Sequence, residues 1–471
     1  MNEMNENSDN VRFFRKFSNF FREPLKNILE NEGLKKYGAN TLWLFLEQFL
    51  RLVLSTLIGI WVIRYLQPEN YGALSYVVAF NQIAYTFSRF GLDGLVVREI
   101  IRNESVQFKI LGTSFWIRFL GSFLIFLLFI PVSYFVSTDF ELFLFITLLN
   151  FGLMLQSFDV VDFYYLSKVQ AKYISIRKLI QLFLISIFKI YLILAKANLF
   201  WFVFSYFLDS VSLALFSLMI YKSQKLPSFF KFSLFDVKIV KSIMKDAFPL
   251  FLASVLNIIQ AKVDQIIILK FLSKEELGYY SSAMRLIEFF GFIPMVVYWS
   301  FYTSVERTKV YAKEKFEGRL RDLYRLMTIA FIFTGLPILF FGKKIILFLY
   351  GSSYEPAGIL LSLMSFRLFF TFFGVIRGVY LLTENLIWFS TFTIFLGAIS
   401  NVLSNIIFLP LYGAVGAIIS FVISFTITTF LVDIIYQETR HNIKIMFEGI
   451  ITFFRFESLR SKNQTSWKLL N

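Results

Sequence analysis

The feature that most constrains this chain is a series of long apolar segments separated by short polar loops. A transmembrane helix needs about 20 consecutive apolar residues, and 57% of the 471 residues are hydrophobic, with a mean hydropathy of +0.65. Membrane β-strands would be only about ten residues long and would alternate in polarity, which excludes a barrel. We therefore predict an all-α polytopic membrane protein with twelve spans. They lie at residues 41–63, 73–97, 110–136, 140–166, 174–195, 198–221, 247–269, 277–300, 325–341, 357–382, 386–409 and 412–436.

A short phrase occurs twice in the chain, 206 residues apart, each time at the end of an apolar segment. The copies, Arg64–Gly72 and Lys270–Gly278, share a basic residue, an aromatic residue, Leu, Glu and Gly at one offset. Many secondary transporters consist of two similar bundles that rock about a site between them. The repeat therefore predicts two six-helix bundles. The predicted organisation is a tail (1–40), a first bundle (41–221), a basic linker (222–246), a second bundle (247–436) and a second tail (437–471).

The formal net charge of +15 is unevenly distributed along the chain. Most of the 47 Lys and Arg lie in the tails and in the loops that follow even-numbered spans. The positive-inside rule then predicts that both termini are cytoplasmic, and this distribution argues against nucleic acid as a partner. The first forty residues lack the apolar core and cleavage site of a secretory signal. Residues 11–25 place Phe and basic residues at helical spacing, which predicts an amphipathic helix that binds anionic lipids.

Charged side chains inside the predicted spans indicate a polar interior, because each costs about 2.5–3.5 kcal/mol in hydrocarbon. Basic groups in such a cavity would hold an anion, since guanidinium groups match phosphate oxygens with two parallel hydrogen bonds. Three further bases, Arg118, Lys189 and Arg377, lie towards span ends and are predicted to extend to the lipid headgroups. The candidate substrate-binding bases are Arg51, Arg89, Lys262, Arg285 and Arg367.

The acidic residues within the spans have two interpretations. Three of them are spaced to pair with a base on the same helix, and such pairs either fix helix packing or serve the cavity. Asp159 and Asp264 are candidates for coupling to H⁺ or Na⁺. Asp159 and Asp162, three residues apart, are interpreted as a helix–helix contact rather than a metal site. The predicted pairs are Glu47–Arg51, Asp93–Arg89 and Glu288–Arg285.

The sequence gives no indication of catalysis. It has no cysteine, and therefore no disulfide or thiolate site, and it lacks the Gly-rich phosphate loop of ATP-hydrolysing proteins. Its one histidine, His441, lies in the C-terminal tail. The longest odd-numbered loop, Gly342–Pro356, is too short for a folded domain. No enzymatic activity, cofactor or metal is predicted.

Motifs along most of the chain resemble a known family. In the first half these are Asn40, Gln48, Arg51, the phrase Arg64–Gly72, Gly91–Asp93 and Arg98–Glu99. In the second half they are Pro249, Val263–Ile267, Leu277–Tyr280, Ala283 with Arg285, and Leu349–Ala357. Together they resemble the Wzx-type flippases of O-antigen and capsular polysaccharide. This family belongs to the multidrug/oligosaccharidyl-lipid/polysaccharide (MOP) exporter superfamily, whose fold is MATE/MurJ-like.

The resemblance implies a bacterial inner-membrane protein that moves an undecaprenyl-pyrophosphate-linked oligosaccharide to the periplasmic leaflet by alternating access. It implies that the cavity bases hold the pyrophosphate and acidic groups of the glycan. Partners would include a polysaccharide polymerase and other assembly proteins.

Three alternatives remain at this point. A cell-wall precursor flippase of the same superfamily usually has fourteen spans rather than twelve. A drug or cation antiporter fits poorly because a cationic cavity repels cationic drugs. A polysaccharide polymerase or ligase would be expected to carry a large outer loop, which the sequence does not provide.

Overall fold

The computed structural model describes residues 32–455, and within this range the chain is helical and has no β-strand. The amphipathic helix predicted at residues 11–25 lies outside the described residues. Short 3₁₀ turns at 104–106, 157–159, 232–234 and 352–354, and a π-helical turn at 427–431, connect some of the helices. The helices are α1 Glu32–Arg89, α2 Asp93–Arg102, α3 Gln107–Val136, α4 Phe140–Phe151, α5 Leu153–Gln156, α6 Val160–Ser167, α7 Ala171–Leu194, α8 Leu199–Ser223, α9 Val237–Phe271, α10 Lys274–Phe290, α11 Phe292–Tyr311, α12 Lys313–Tyr350, α13 Ala357–Thr383, α14 Ile387–Tyr412, α15 Ala414–Thr426, α16 Val432–Ile435 and α17 Gln437–Ile451.

The predicted all-α membrane architecture is confirmed. Ten stretches of the described residues are long and apolar enough to cross a membrane. One of them, Lys36–Arg102, contains the first two predicted spans, which are divided at Gln67. The fifth predicted span, within α7, is helical but is not among the ten, because Lys189 and two further bases lie in it. All twelve predicted spans are thus helical.

The first two spans separate at Gln67, whose φ of 60° and ψ of 168° are not helical. Pro68 follows and has no N–H to continue a helix. Both ends of α1 lie towards segments that follow even-numbered spans: the Asn40 side chain accepts from the Ala171 N–H at 2.6 Å, and Arg98, after the other end, contacts Asp246. The chain therefore reverses direction at Gln67, as two antiparallel spans require.

The loops gather at two opposite faces. Loops after odd-numbered spans meet at what we call the odd-loop face, where Lys274 lies 2.6 Å from Asp139 and the Tyr65 hydroxyl donates to the Ala197 carbonyl. Loops after even-numbered spans form the even-loop face, where ion pairs join them. There the Lys109 ammonium lies 2.6 Å from Asp236 and holds the pKa of that carboxyl below its ordinary 3.8. This alternation is the topology expected of an even number of spans.

Several helix ends differ from prediction. Helix α12 runs from Lys313 to Tyr350 rather than over 325–341, so the loop predicted at Gly342–Pro356 shortens to residues 351–356. Helix α9 begins at Val237, inside the predicted linker, and α17 covers Gln437–Ile451. The physical reason is that hydropathy locates the segment inside hydrocarbon, whereas a helix with charged ends continues into the aqueous phase.

The apolar core joins both halves of the chain near the odd-loop face. One cluster contains Ile63 and Leu66 of α1, Leu277 and Tyr280 of α10, and Tyr354, each 3% exposed or less. A second cluster lies towards the even-loop face and is formed by α2, α3, α6 and the start of α9. Helices α1 and α10 are therefore packed against each other, and the charged residues described next lie along them.

Candidate substrate-binding site

Charged side chains within the first two predicted spans are partly exposed. Arg51 on α1 is bound to Glu47 one turn earlier, with Nε 2.7 Å from Oε1, and it also donates to the Lys178 carbonyl at 3.4 Å. The side chains of Arg51, Arg89 and Asp93 are between 36% and 42% exposed. Such groups face water rather than hydrocarbon. They therefore mark an aqueous cleft that reaches the even-loop face, where Arg89 and Asp93 lie in contact.

Helices α9 and α10 contribute a second pair of opposite charges. The Lys262 ammonium lies 2.8 Å from Glu288. Glu288 was predicted to pair with Arg285, three residues away on its own helix. In the structure α9 places Lys262 in direct contact with Glu288, and Arg285 interacts with Glu288 only at longer range. Arg285 instead crosses to α1 and donates to the Ser55 carbonyl at 3.0 Å, beside Gly59.

Two of the bases inside the predicted spans, Arg285 and Lys189, have no carboxylate within 4 Å among the residues that the structure describes. The Lys189 ammonium lies 4.0 Å from the centre of the Tyr206 ring. Arg285 interacts electrostatically with Tyr206 and with Tyr71. The prediction that Lys189 extends to the headgroups missed this contact, which joins α7 to α8. The two cations and two phenols form a positive cluster between the halves, and we call it the Arg285 cluster.

The positions along the helices show the depth of the Arg285 cluster. Lys189 lies five residues before the end of α7 at the odd-loop face, and Tyr206 seven residues after the start of α8. At 1.5 Å per residue they are about 8 Å and about 10 Å below that face. Tyr71 directly precedes Gly72 at the odd-loop face itself. The Arg285 cluster is therefore at the end of the cleft furthest from Arg89.

Arg367 and Asp264 form a buried network in the second half. Asp264, 1% exposed, accepts from Tyr280 at 2.8 Å and from Asn405 at 2.9 Å, and Arg367 lies 3.4 Å away. The Arg367 guanidinium also stacks on Phe421, 4.0 Å from the ring centre. Asp264 and Arg367, predicted separately for coupling and substrate binding, therefore neutralise each other.

Asp159 belongs to a corresponding network in the first half. Its carboxylate lies 2.7 Å from Arg118 and accepts from the Tyr85 hydroxyl at 3.3 Å, and Asp93 lies 3.6 Å from the same guanidinium. Arg118 is 1% exposed, so the prediction that it reaches the headgroups is wrong. The reason is that two carboxylates compensate its charge inside the protein.

Other intramembrane charges pair across helices and away from the cleft. Arg377, also predicted to reach the headgroups, is buried and donates from two nitrogens to Asp433, at 2.8 and 2.7 Å. Asp162 accepts two hydrogen bonds from Arg177, so it makes a helix–helix contact. No group of His, Asp and Glu suited to a metal occurs among the described residues.

An apolar cavity of about 220 Å³ lies beside the charges, between α1, α10, α12 and α13. It is lined by Thr56, Ile60, Leu286, Phe289, Phe290, Ile338, Ile345, Leu349 and Leu361. Thr56 follows Ser55, and Leu286 follows Arg285. The apolar lining of this cavity is therefore adjacent in sequence to Arg285 and to the Ser55 carbonyl that Arg285 binds.

Sequence reasoning missed several residues of these networks. Tyr71 and Tyr280 were included only as members of the repeated phrase and the family motifs, and Tyr206 and Asp433 were not singled out. Gln181, which donates to Asp209 at 2.8 Å, also went unnoticed. A signal was present for Asp433, because an acid inside an apolar span needs a partner. Nothing local marks the tyrosines.

Comparison with known proteins agrees with this architecture. The family model described as "Polysaccharide biosynthesis protein" matches residues 37–304, more than half of the chain. No curated protein matches the sequence. Among solved structures, an inward-facing multidrug resistance MATE family transporter of the MOP superfamily is similar with a TM-score of 0.67 and 16% identity, over 84% of this chain and 96% of that one.

Two further structures show the same fold. The lipid II flippase MurJ in an inward closed conformation has a TM-score of 0.66 and 17% identity, over 91% of this chain and 95% of its own. An outward-facing MATE family transporter has a TM-score of 0.56 and 14% identity, over 88% and 96%. These similarities establish the fold, and the family match covers the half that contains Arg51, Lys262 and Arg285. The chain therefore belongs to the polysaccharide biosynthesis protein family and has the fold of the MATE and MurJ membrane transporters.

Proposed function

We propose that this protein is a flippase that carries an undecaprenyl-pyrophosphate-linked oligosaccharide across the bacterial inner membrane, for O-antigen, capsule or exopolysaccharide synthesis. A pyrophosphate and several sugars cannot cross about 30 Å of hydrocarbon unaided. A cleft between two helix bundles removes that barrier while the polyprenyl chain stays in lipid. The basic even-loop face is cytoplasmic in this proposal, together with both termini.

The observation that carries the proposal is the Arg285 cluster. Every other candidate base has a carboxylate beside it, whereas Arg285 and Lys189 have none within the described part of the chain. Two cations without a carboxylate in direct contact, in a region of low dielectric, attract an anion strongly. The Arg285 guanidinium can bind a pyrophosphate through two parallel hydrogen bonds. The apolar cavity beside Thr56 and Leu286 then accommodates the first isoprenyl units.

The remaining candidates have supporting roles in this proposal. Arg51, Arg89 and Lys262 line the route from the even-loop face, and their partners Glu47, Asp93 and Glu288 keep the empty cleft from being strongly positive. Asp159 and Asp264 are proposed for ion coupling. Each carboxylate faces an arginine, so binding of H⁺ or Na⁺ there would release Arg118 or Arg367.

The sign of the charge favours this cargo over the alternatives. A drug or cation antiporter would have to admit a cation past Arg285 and Lys189, which is electrostatically unfavourable. A cell-wall precursor also carries a pyrophosphate, so the Arg285 cluster does not separate the two lipid-linked cargoes. Deletion of the chain distinguishes the two cargoes by which polymer is lost.

The test is to delete the chain in its host and measure surface polysaccharide together with the leaflet position of the lipid-linked repeat unit. Loss of polymer with repeat units retained on the cytoplasmic side supports the proposal. Repeat units on the periplasmic side would show a defect in polymerisation or ligation instead. Arrest of cell-wall synthesis would show the alternative cargo.

Complementation with variants then tests the Arg285 cluster. Each charge-assisted hydrogen bond contributes about 1.5–3 kcal/mol, so Arg285→Gln and Lys189→Gln should each reduce flipping about 10- to 100-fold. Lys343→Gln is the matched control, because Lys343 is 59% exposed and pairs with Glu355 at the odd-loop face. Equal activity of all three variants would rule out the anion site.

A further inference from the structure

The two copies of the repeated phrase contact each other in the folded protein. A Cβ placed on Gly72 would overlap the carbonyl oxygen of Lys274 and would lie 2.8 Å from the Gly278 nitrogen. A Cβ placed on Gly278 would overlap the carbonyl oxygen of Pro68. Under the 206-residue offset Gly72 corresponds to Gly278 and Pro68 to Lys274. The contact is therefore reciprocal, as a two-fold axis between the copies requires.

Further bonds surround these glycines and also join the two halves at the odd-loop face. The ammonium of Lys274 lies 2.6 Å from Asp139 of the first half. The hydroxyl of Tyr354, which follows α12, donates to the Ile63 carbonyl of α1 at 2.8 Å. Tyr354 and Ile63 have no exposed surface. Water is thus excluded from the Tyr354–Ile63 contact between the halves, in contrast to the exposed charges near the even-loop face.

We propose that the glycine contact is the gate of the odd-loop face, and that the two halves separate there when the cleft opens to that side. We call Pro68, Gly72, Lys274 and Gly278 the glycine seal. The inference rests on the proposed transport function but not on the identity of the cargo. The glycines are needed because two backbones can approach this closely only where neither carries a side chain.

An alanine in the glycine seal opposes closure. An ordinary Cβ contact is at least 3.4 Å long, and the atoms that Gly72 and Gly278 meet belong to backbone, which cannot rotate away. The halves must move apart to accommodate a methyl group. Overpacking of this kind should lower the ratio of sealed to open protein about tenfold, so the open state becomes more populated.

The first experiment measures this separation directly. Because the chain has no cysteine, Asn70→Cys and Ser353→Cys introduce a single pair of spin labels, one on each half, at exposed positions of the odd-loop face. Gly72→Ala and Gly278→Ala should each shift the interlabel distances to longer values. Gly374→Ala is the control, because its Cβ meets nothing within 4 Å and it lies within α13. Distances unchanged in both seal variants would overturn the proposal.

A second experiment does not depend on the alanine variants folding. Asp139→Cys and Lys274→Cys place thiols on the two sides of the odd-loop face, and a reducible bis-methanethiosulfonate reagent joins them. Cross-linking should abolish export of surface polysaccharide, and reduction should restore it. Full export while the cross-link is complete would overturn the gate.

The two proposals fail separately. The interlabel distance requires no cargo. A distance shift in a protein that moves no lipid-linked glycan would retain the gate and reject the proposed function. An unchanged distance in a protein that flips the glycan would do the reverse.

Discussion

Asp433 is an acid without exposed surface, and Arg377 donates to both of its carboxylate oxygens. Removing one partner of such a pair leaves an uncompensated buried charge, which costs about 3–5 kcal/mol. Asp433→Ala should therefore lower the free energy of unfolding by about that amount, measured by thermal unfolding in detergent.

The exposed pair Lys343–Glu355, separated by 2.7 Å, provides the control. Both side chains are more than half exposed, and Glu355→Ala should change stability by less than about 1 kcal/mol. Replacing Arg377 and Asp433 together by Met and Leu should restore most of the loss, because no buried charge remains. Equal effects of Asp433→Ala and Glu355→Ala would show that burial does not set the strength of these pairs.

Sequence alone identifies the charged residues within the spans better than it identifies their ion-pair partners. The Glu47–Arg51 contact is readable because four residues make one helical turn. Lys262–Glu288 and Arg377–Asp433 join different helices, so they depend on which faces of two helices meet. A single sequence does not specify that packing. For this reason sequence predicted Arg285 as a binding residue but not Lys189, because Lys189 contacts Tyr206 on a different helix.

For helices, hydropathy predicts which segments exist but not where they end. All twelve apolar segments are helical because hydrocarbon requires every backbone group to be bonded within its segment. The ends lie outside hydrocarbon, where polar residues such as Lys343 and Lys344 permit the helix to continue to Tyr350. The extension of α12 and the early start of α9 are both of this kind.

The packing of helix α17 against α12 depends on one glycine. A Cβ on Gly449 would lie 2.6 Å from the Tyr324 Cβ of α12, and the Tyr324 hydroxyl donates to Asn442 at 3.0 Å. Gly449→Ala should displace α17 from α12, and hydrogen exchange of residues 437–451 should accelerate. Gly94→Ala in α2 is the control, because its Cβ meets nothing within 4 Å.

Helix propensity makes this comparison informative. Alanine favours a helix over glycine by about 1 kcal/mol, so both substitutions stabilise their helices locally. Slower or unchanged exchange in Gly449→Ala would mean that the close approach to Tyr324 is not needed for docking.

Across the whole molecule, the two faces are chemically different, and the difference agrees with the proposed direction of opening. The even-loop face carries most of the basic residues and the exposed ends of the cleft, at Arg89 and Asp93. The odd-loop face is closed by the glycine seal and by the Lys274–Asp139 ion pair. Lipid-linked cargo made at the cytoplasmic leaflet would enter this conformation from the basic side, and the Arg285 cluster would hold it just beneath the closed gate.

The pH dependence of closure follows from Asp139. Burial raises its pKa, but hydrogen bonds from Lys274 and from the Leu142 N–H outweigh burial and bring the pKa below the ordinary 3.8. A lowered pKa means that the ion pair stabilises the sealed state fully above about 3.8 and is lost as the pH falls through the lowered value. Closure should therefore not change through Asp139 between about pH 5 and about pH 8.

Distances between spin labels at Asn70→Cys and Ser353→Cys, recorded across that pH range, test this expectation. Lys274→Gln removes the ion pair and should lengthen the distances equally at every pH in the range. Glu276 is the second acid to control for on this face, because burial, and then the charge of Glu275, raises its pKa above 4.5. If the distances change with pH and still do so in Glu276→Gln, a group other than these two acids controls the gate.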